Sequence, residues 1–436
     1  MANQLVGTAL GLRGNPRVCV YTEPLWGLSM SLCLPYASVY MLSLGVSDRQ
    51  LGLVTSLGML SQVFFGLLGG VVTDKLGRRL TTAIFDFVAW CLPCVIWCAA
   101  SLVDQRLAFS FFVGAALVNG ALQVTQNSWD CLMVEDADRR QLTNIYSLVI
   151  IAGQMSALFA PIAAVLVSQF ALVPAVRILY INAFVVMLIK LLVLYRWSTE
   201  TATGRVRMVE TAGVPLRTLL AGYGAVIRLA LRSPGTIFSL LVAVLTGAVT
   251  SVNGAFWQVI VSQKLMVPLE LLPIWTMARS LLAILFLLLV VPRLTRSVAA
   301  HHLRRSLLAG FLVYAVGQAI LAMILAPTGP ADGLTYLLIA VSSIGDCFGA
   351  GIMAMLAESL VALHVDPDER SRVMAVQRTS IMLVVAPFGW IAGVLSSFDR
   401  SWPFVLTSGL LLVGAVVTWG YYRRRHGDQL PAPVNS

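Results

Sequence analysis

Charge is scarce in this chain. Lysine, arginine, aspartate and glutamate make up 11% of its 436 residues, against about 25% in an ordinary soluble domain. So little charge cannot clothe a chain that is 58% hydrophobic in a water-soluble surface, and lipid must be the solvent for most of it. Histidine is scarcer still. His301, His302, His364 and His426 all fall in breaks between apolar runs or in the tail, which excludes a metal helix of the H-E-x-x-H kind inside the membrane. No G-x-x-x-x-G-K-S/T phosphate loop occurs, and no polar stretch is long enough to house the domain that would use one. The opening, MANQLVGTALGLRGNPR, places Arg13 and Arg17 after its small residues, so no cleavable signal peptide is expected. Cys19, Cys33, Cys91, Cys94, Cys98, Cys131 and Cys347 sit in or at the ends of apolar segments. With no histidine or carboxylate companions in those runs, they read as packing residues, and neither metal nor cofactor is expected.

What is abundant is oil in long runs. Twelve apolar segments each approach or exceed the roughly 20 residues a helix needs to cross the hydrocarbon. Their limits are 18–43, 50–72, 80–101, 107–129, 142–168, 174–195, 235–261, 269–291, 303–326, 333–359, 371–397 and 402–422. The fold class is therefore an all-α integral membrane protein with twelve transmembrane helices. The longest break divides them six and six. It predicts an N-terminal six-helix bundle over 1–195, a linker over 196–234, and a C-terminal bundle with a short basic tail over 235–436. Within the linker, 215–233 spaces Leu216, Leu219, Leu220, Val226 and Ile227 between basic residues, as an interfacial helix does.

Lysine and arginine set the orientation. With both termini cytoplasmic, the inner breaks carry 22 basic residues and the outer ones 5, so the termini are predicted inside. The same distribution accounts for a net charge of +10 without a nucleic-acid partner. The halves also echo one another. EDADRRQ (135–141) precedes the fifth span and DPDERSR (366–372) the eleventh, each followed by an Ala-Pro pair, Ala160-Pro161 and Ala386-Pro387. Duplicated halves are what a rocking transporter is built from.

One hinge carries a motif. Gly70, Asp74, Lys75, Gly77, Arg78 and Arg79 fit G-x-x-x-D-R/K-x-G-R/K-R/K between the second and third spans. Gly70 allows close helix approach, Gly77 a tight reversal, and Arg78 and Arg79 are placed to reach anionic headgroups. The pattern closely resembles the loop between helices 2 and 3 of major facilitator superfamily transporters. The resemblance implies two six-helix bundles and a cytoplasmic latch in which Asp74 faces the region of Glu369, Arg370 and Arg372. The corresponding second-half stretch, 292–305, keeps its basic residues but lacks the glycine-aspartate core, so any latch is asymmetric.

Ionisable groups inside the bilayer are costly and hence candidates for function. Glu23 has two readings: a proton-coupling carboxylate, as an acid at similar depth is in the proton-coupled exporters that the chain resembles, or an interfacial group near Arg17. Asp346 is the second proton-coupling candidate. Arg279 and Asp346 stand near the middle of the eighth and tenth spans, where mutual pairing, pairing with substrate and a purely structural ion pair are all open. In the fourth span Asn119, Gln123, Gln126, Asn127 and Asp130 form a polar stripe that must face the protein interior or a wet cavity. Thr246, Thr250, Asn253 and Trp257 keep helical spacing in the seventh, either as cavity lining or as glue between helices. The expected substrate cavity is thus Asn119, Gln123, Gln126, Asn127, Asn253, Trp257 and Arg279. Lys190 and Arg378 can snorkel to the cytoplasm, and Asp86 with Glu135, Asp136, Arg139 and Arg140 reads as a set of loop or gate ion pairs.

The leading expectation is a secondary transporter working by alternating access: a proton antiporter that exports an amphipathic, drug-like compound. Uptake of a small metabolite is the alternative. Superfamily exporters often carry glycines around a Gly-Pro pair in the fifth helix, where this chain has Ser156, Ala160, Pro161 and Ala164. A membrane-embedded enzyme would need a clustered nucleophile or metal set that these spans lack. The resemblance to bacterial permeases implies a monomer in a plasma or inner membrane, with a small-molecule substrate, protons and the lipid bilayer as its partners.

Overall fold

The computed structural model describes residues 2–215, 234–291, 300–364 and 370–425. It contains twelve helices long and apolar enough to span a membrane: α1 (Gly14–Ser43), α2 (Asp48–Leu76), α3 (Arg78–Ala99), α4 (Gln105–Val134), α5 (Leu142–Phe170), α6 (Leu172–Trp197), α7 (Gly235–Lys264), α8 (Leu269–Val290), α9 (Arg304–Met323), α10 (Gly333–Leu356), α11 (Thr379–Phe398) and α12 (Trp402–Arg423). No strand occurs among the described residues. The helices form two six-helix bundles, α1–α6 and α7–α12. The interfacial helix expected at 215–233 falls almost wholly outside the described residues.

The breaks in the helices have local causes. Pro93 has no N–H for the carbonyl of Ala89 one turn earlier, and α3 widens into a π-turn over Phe87–Cys91. The Asn119 side chain donates to that carbonyl at 2.7 Å. In α5, Pro161 follows a 3-10 turn at Ala157–Phe159. There Ser156 Oγ donates to the carbonyl of Pro24 at 3.1 Å, and a Cβ on Gly27 would lie 2.8 Å from that hydroxyl. The small residues of α5 therefore let it press against α1.

The largest hydrophobic core joins the two bundles. Tyr36, Tyr40 and Leu51 pack in one cluster with Phe256, Trp257, Leu272 and Phe404. It occupies the end of the molecule where α1 runs into α2, away from the α2–α3 hinge. A second core lies within α7–α12 and a third within α1–α6.

A short helix, Ala202–Thr211, forms in the stretch after α6 that was expected to be linker. Its sequence is polar, and it starts because the Thr201 side chain accepts the Gly204 N–H at 2.8 Å.

Candidate functional site

Between the bundles lies a cavity of about 800 Å³. Its walls come from α1 and α2 with parts of α3 and α4 on one side, and from α7 and α11 on the other. Leu34, Met41, Met59, Trp97, Met382 and Val385 are among its apolar lining residues. Ser38, Thr55, Gln62, Asn119, Thr246, Thr250 and Ser251 supply neutral hydrogen-bonding groups. No lining residue is ionisable except at extreme pH. Such a chamber offers an apolar surface with dispersed hydrogen-bonding groups and no fixed charge.

One end of the chamber is sealed. Asp48 of α2 accepts from Arg400 at 3.3 Å and from Ser396 at 2.9 Å, and Arg49 donates to Ser397 at 3.0 Å. Tyr36 donates to the carbonyl of Leu269 at 3.2 Å. Glycines bring the backbones of α2 and α11 together: a Cβ on Gly52 would lie 2.7 Å from Gly393 Cα. Among the described residues, the polar bonds joining the bundles run from this end to the middle of the chamber.

Of the seven side chains expected in the cavity, Asn119 lines it. The rest of the α4 stripe does face inward, but it bonds to neighbouring helices and to itself. Gln123 donates to Gln62 at 3.3 Å, Asn127 to Thr73 at 3.1 Å, and Gln126 to Asp130 at 3.4 Å. Asn253 is buried behind the wall and donates to the Tyr314 hydroxyl at 3.2 Å. Trp257 is buried too, and Arg279 lies over its ring at 4.9 Å. Mutual pairing of Arg279 with Asp346 does not occur. Asp346 Oδ1 instead accepts from Gln318 at 2.7 Å, and Gln318 in turn accepts from Thr407 at 2.7 Å. The Arg279 guanidinium lies over the buried indole of Trp257 on α7, while the Asp346 carboxylate is bonded from α9 by Gln318. Asp346 Oδ2 is buried with no hydrogen-bond partner among the described residues.

Lys190 does not snorkel. It is buried and paired with Asp86 at 3.0 Å, so Asp86 is an intramembrane partner and not a loop ion pair. Glu23 is half-buried on α1.

The hinge is held within the first bundle. Gly77 has φ +83°, a conformation that side chains resist. Glu200 accepts the backbone N–H groups of Arg78 at 2.9 Å and Arg79 at 3.0 Å. Arg78 does not reach for headgroups: it is buried, paired with Glu135 at 2.9 Å and Asp74 at 3.0 Å. Arg79 lies over the Tyr195 ring at 4.2 Å. Lys75 donates to the carbonyl of Val214 at 2.6 Å and Thr211 to that of Asp74 at 3.1 Å, which docks the Ala202–Thr211 helix on the motif. Sequence reasoning missed Glu200. The expected partners of Asp74 fall outside the described residues (Glu369) or on side chains outside them (Arg370, Arg372), as does the Arg378 side chain.

All seven cysteines are free, with Cys19, Cys33, Cys91 and Cys94 buried. Residues 25–296 match the family model described as Major Facilitator Superfamily. No curated protein sequence matches the chain. Among solved structures, the nucleoside transporter NupG is 16% identical with a TM-score of 0.67, over 94% of this chain and 100% of that one. The peptide transporter POT in complex with sulfate is 14% identical with a TM-score of 0.66, over 94% of each chain. The human organic anion transporter MFSD10 is 14% identical with a TM-score of 0.64, over 92% of this chain and 98% of that one. At such identities the likeness is one of fold.

Proposed function

The chain belongs to the major facilitator superfamily, and we propose that it is a secondary active transporter that exports an amphipathic, drug-like compound in exchange for protons. The observation that carries this reading is the uncharged chamber between the bundles, apolar with scattered hydroxyls and amides. The solved relatives named above handle nucleosides, peptides and organic anions. A guest with a fixed charge would find no counter-charge on these walls.

In this reading the bundles 1–195 and 235–436 rock about the chamber, joined by the linker 196–234. The motif Gly70, Asp74, Lys75, Gly77, Arg78 and Arg79 marks the cytoplasmic face, with both termini on that side of a plasma or inner membrane. The sealed end at Asp48 and Arg400 is then external, and the conformation inward-facing. Glu23 carries the coupled proton and Asp346 is the second proton-binding carboxylate. Gln123, Gln126, Asn127, Asn253, Trp257 and Arg279 shape the walls from behind, while Asn119 touches the cargo.

Membrane vesicles of defined orientation test this directly. An imposed proton gradient should drive neutral amphipathic fluorescent dyes out of the cytoplasmic compartment. Proton-driven accumulation of a small metabolite on the cytoplasmic side, with no dye export, would replace efflux by uptake. The presence of Ser156, Ala160 and Ala164 in place of glycines around Pro161 in α5 favours that second reading.

A further inference from the structure

Three hydroxyls on the chamber wall have already spent their hydrogens. Thr55 donates to the carbonyl of Leu51 at 3.1 Å, Thr246 to that of Val242 at 2.9 Å, and Ser251 to the Met59 sulfur at 3.2 Å. Two carboxamides are only half used, and their partners fix which way each one points. The carbonyl of Ala89 can only accept, so the part of Asn119 that meets it at 2.7 Å is the NH2. The Asn119 oxygen, Oδ1, has no hydrogen-bond partner among the described residues. Gln62 is the reverse case. Its oxygen accepts from Gln123 at 3.3 Å, which leaves its NH2 unspent among the described residues. Both residues line the chamber, and both unspent groups are open to it. They share one patch of wall: Asn119 lies one turn before Gln123 on α4, and Gln123 is bonded to Gln62. The patch is rigid. Ser61 donates to the carbonyl of Leu117 at 2.6 Å, and a Cβ on Gly120 would collide with Ser61, so α2 and α4 are locked together beside Gln62.

We propose that Gln62 and Asn119 determine specificity by reading an amide edge on the guest. Asn119 Oδ1 accepts the guest's N–H, and Gln62 Nε2 donates to the adjacent C=O. The guest is then a neutral lactam, imide or ureide carried on an apolar ring. The proposal rests on the reading that the chamber holds the cargo. A wall with one acceptor beside one donor selects by what is missing. A guest whose N–H is blocked leaves Oδ1 without a partner once water is excluded. A lactone still accepts from Gln62 but sets its ring oxygen against Oδ1, acceptor to acceptor. Met59, one turn before Gln62 on α2, also lines the chamber, and its thioether adapts to an aromatic neighbour. Carboxamides that served only to join helices would not tell such matched guests apart.

Three fluorescent probes of one shape make the test: an aminomethylquinolone (the lactam), its N-methyl derivative, and aminomethylcoumarin (the lactone). Equilibrium dialysis against the full-length protein in lipid nanodiscs gives each affinity. The wild type should bind the lactam about tenfold more tightly than either relative, the scale of a net hydrogen bond. Gln62→Met removes the donor that all three probes use, so it should weaken all three by a similar factor, about threefold or more, and keep their order. Asn119→Leu removes the acceptor and should bring the three within about twofold of one another. That variant also orphans the Ala89 carbonyl and can fail to fold; the wild-type comparison and Gln62→Met then decide the matter. Equal binding of the three probes by the wild type overturns the amide edge and leaves the chamber as the cargo site. A lactam preference that survives Asn119→Leu, or affinities unmoved by Gln62→Met, does the same. If no probe binds while vesicles still export neutral dyes, the amide edge alone falls. If export is absent too, the transport reading falls with it.

Discussion

Ser56 of α2 is inserted into the backbone ladder of α11, where its hydroxyl accepts the N–H of Trp390 at 2.7 Å and donates to the carbonyl of Ala386 at 2.5 Å. Those two groups would otherwise bond to each other along the helix. Pro387 lies between them and already weakens this turn. One hydroxyl therefore stitches the two bundles together, and Gly389 leaves the room: a Cβ there would lie 2.9 Å from Ser56 Oγ.

Removing that hydroxyl should loosen the sealed end. In Ser56→Ala the α11 ladder can close on itself, so the loss is confined to the contact between bundles, about 0.5–1.5 kcal/mol. A shift of that size changes the ratio of conformers by roughly two- to thirteenfold. Cross-linking by a short bifunctional thiol reagent between Arg49→Cys and Ser397→Cys reads it, the reagent's arm replacing the reach of the arginine that bonds Ser397 at 3.0 Å when the end is sealed. Cross-linking should slow in Ser56→Ala and stay fast in the parent pair. Equal rates would show that the stitch is incidental.

Arg78 should be the most sensitive position of the hinge. It is buried and bonds two carboxylates, so Arg78→Gln leaves Glu135 without its cation, at a cost of about 3–5 kcal/mol. Glu200→Gln keeps the shape and weakens two charge-assisted bonds to backbone N–H groups, for a smaller loss of about 1.5–3 kcal/mol. Thermal unfolding in detergent should rank the variants in that order. The reverse order would mean that Glu200, through the docked helix, is the true keystone.

The rim at the sealed end should be acid-sensitive. Lys264 donates to Asp399 at 2.6 Å, and this bond holds the Asp399 carboxyl below its usual range. The folded protein thus favours the ionised form. The contact contributes fully above the unfolded carboxylate value of about 3.9 and fades as pH falls through the lower folded value. Asp399→Asn should lower the melting temperature near neutrality, with the difference from wild type closing below about pH 3. Because this carboxylate is largely solvated, the shift should be small. A gap that persists undiminished in acid would assign the effect to packing.

Much of this was legible in the chain, and the boundary of legibility is physical. Each apolar run is long enough to span on its own, so the twelve helices needed no tertiary knowledge. Gly77 announced the reversal because its neighbours are charged and the flanking runs are not. Polar groups in α4 announced an inward face, since lipid would not take them. Their partners could not be read: whether Asn127 meets cargo or Thr73 depends on how α2 packs, which no spacing encodes. Lys190 shows the same limit. Two turns from a helix end, a lysine can extend to water or turn inward, and the choice was made by Asp86, far away in sequence. Pro93 did mark an orphan carbonyl at Ala89, but only the fold could say that Asn119 would answer it.

Gly254 offers a test of the chamber. It lines the cavity, and a Cβ added there would meet nothing within 4 Å. Gly254→Phe should therefore project a ring into the chamber and narrow it. Dye flux should fall at least tenfold while stability changes by no more than about 0.5 kcal/mol beyond the helix-propensity gain, as for other uncrowded sites. Undiminished flux would place the cargo path elsewhere.

Glu23→Gln should separate movement of cargo from its drive. The amide is neutral at every pH, so it resembles the carboxyl with its proton fixed in place. Cargo can still enter the chamber, because Glu23 is not among its lining residues. Downhill dye exchange in vesicles should continue at a rate within a few-fold of wild type, whereas an imposed proton gradient should no longer drive dye uphill. Asp346→Asn provides the contrast. Asp346 is enclosed, with Gln318 on one oxygen and Thr407 beyond, and its proton must leave by a longer route. If both carboxylates carry protons, Asp346→Asn should lower the number of protons moved per dye while leaving a residual uphill drive. A Glu23→Gln protein that still concentrates dye against its gradient would move the coupling site to Asp346 alone.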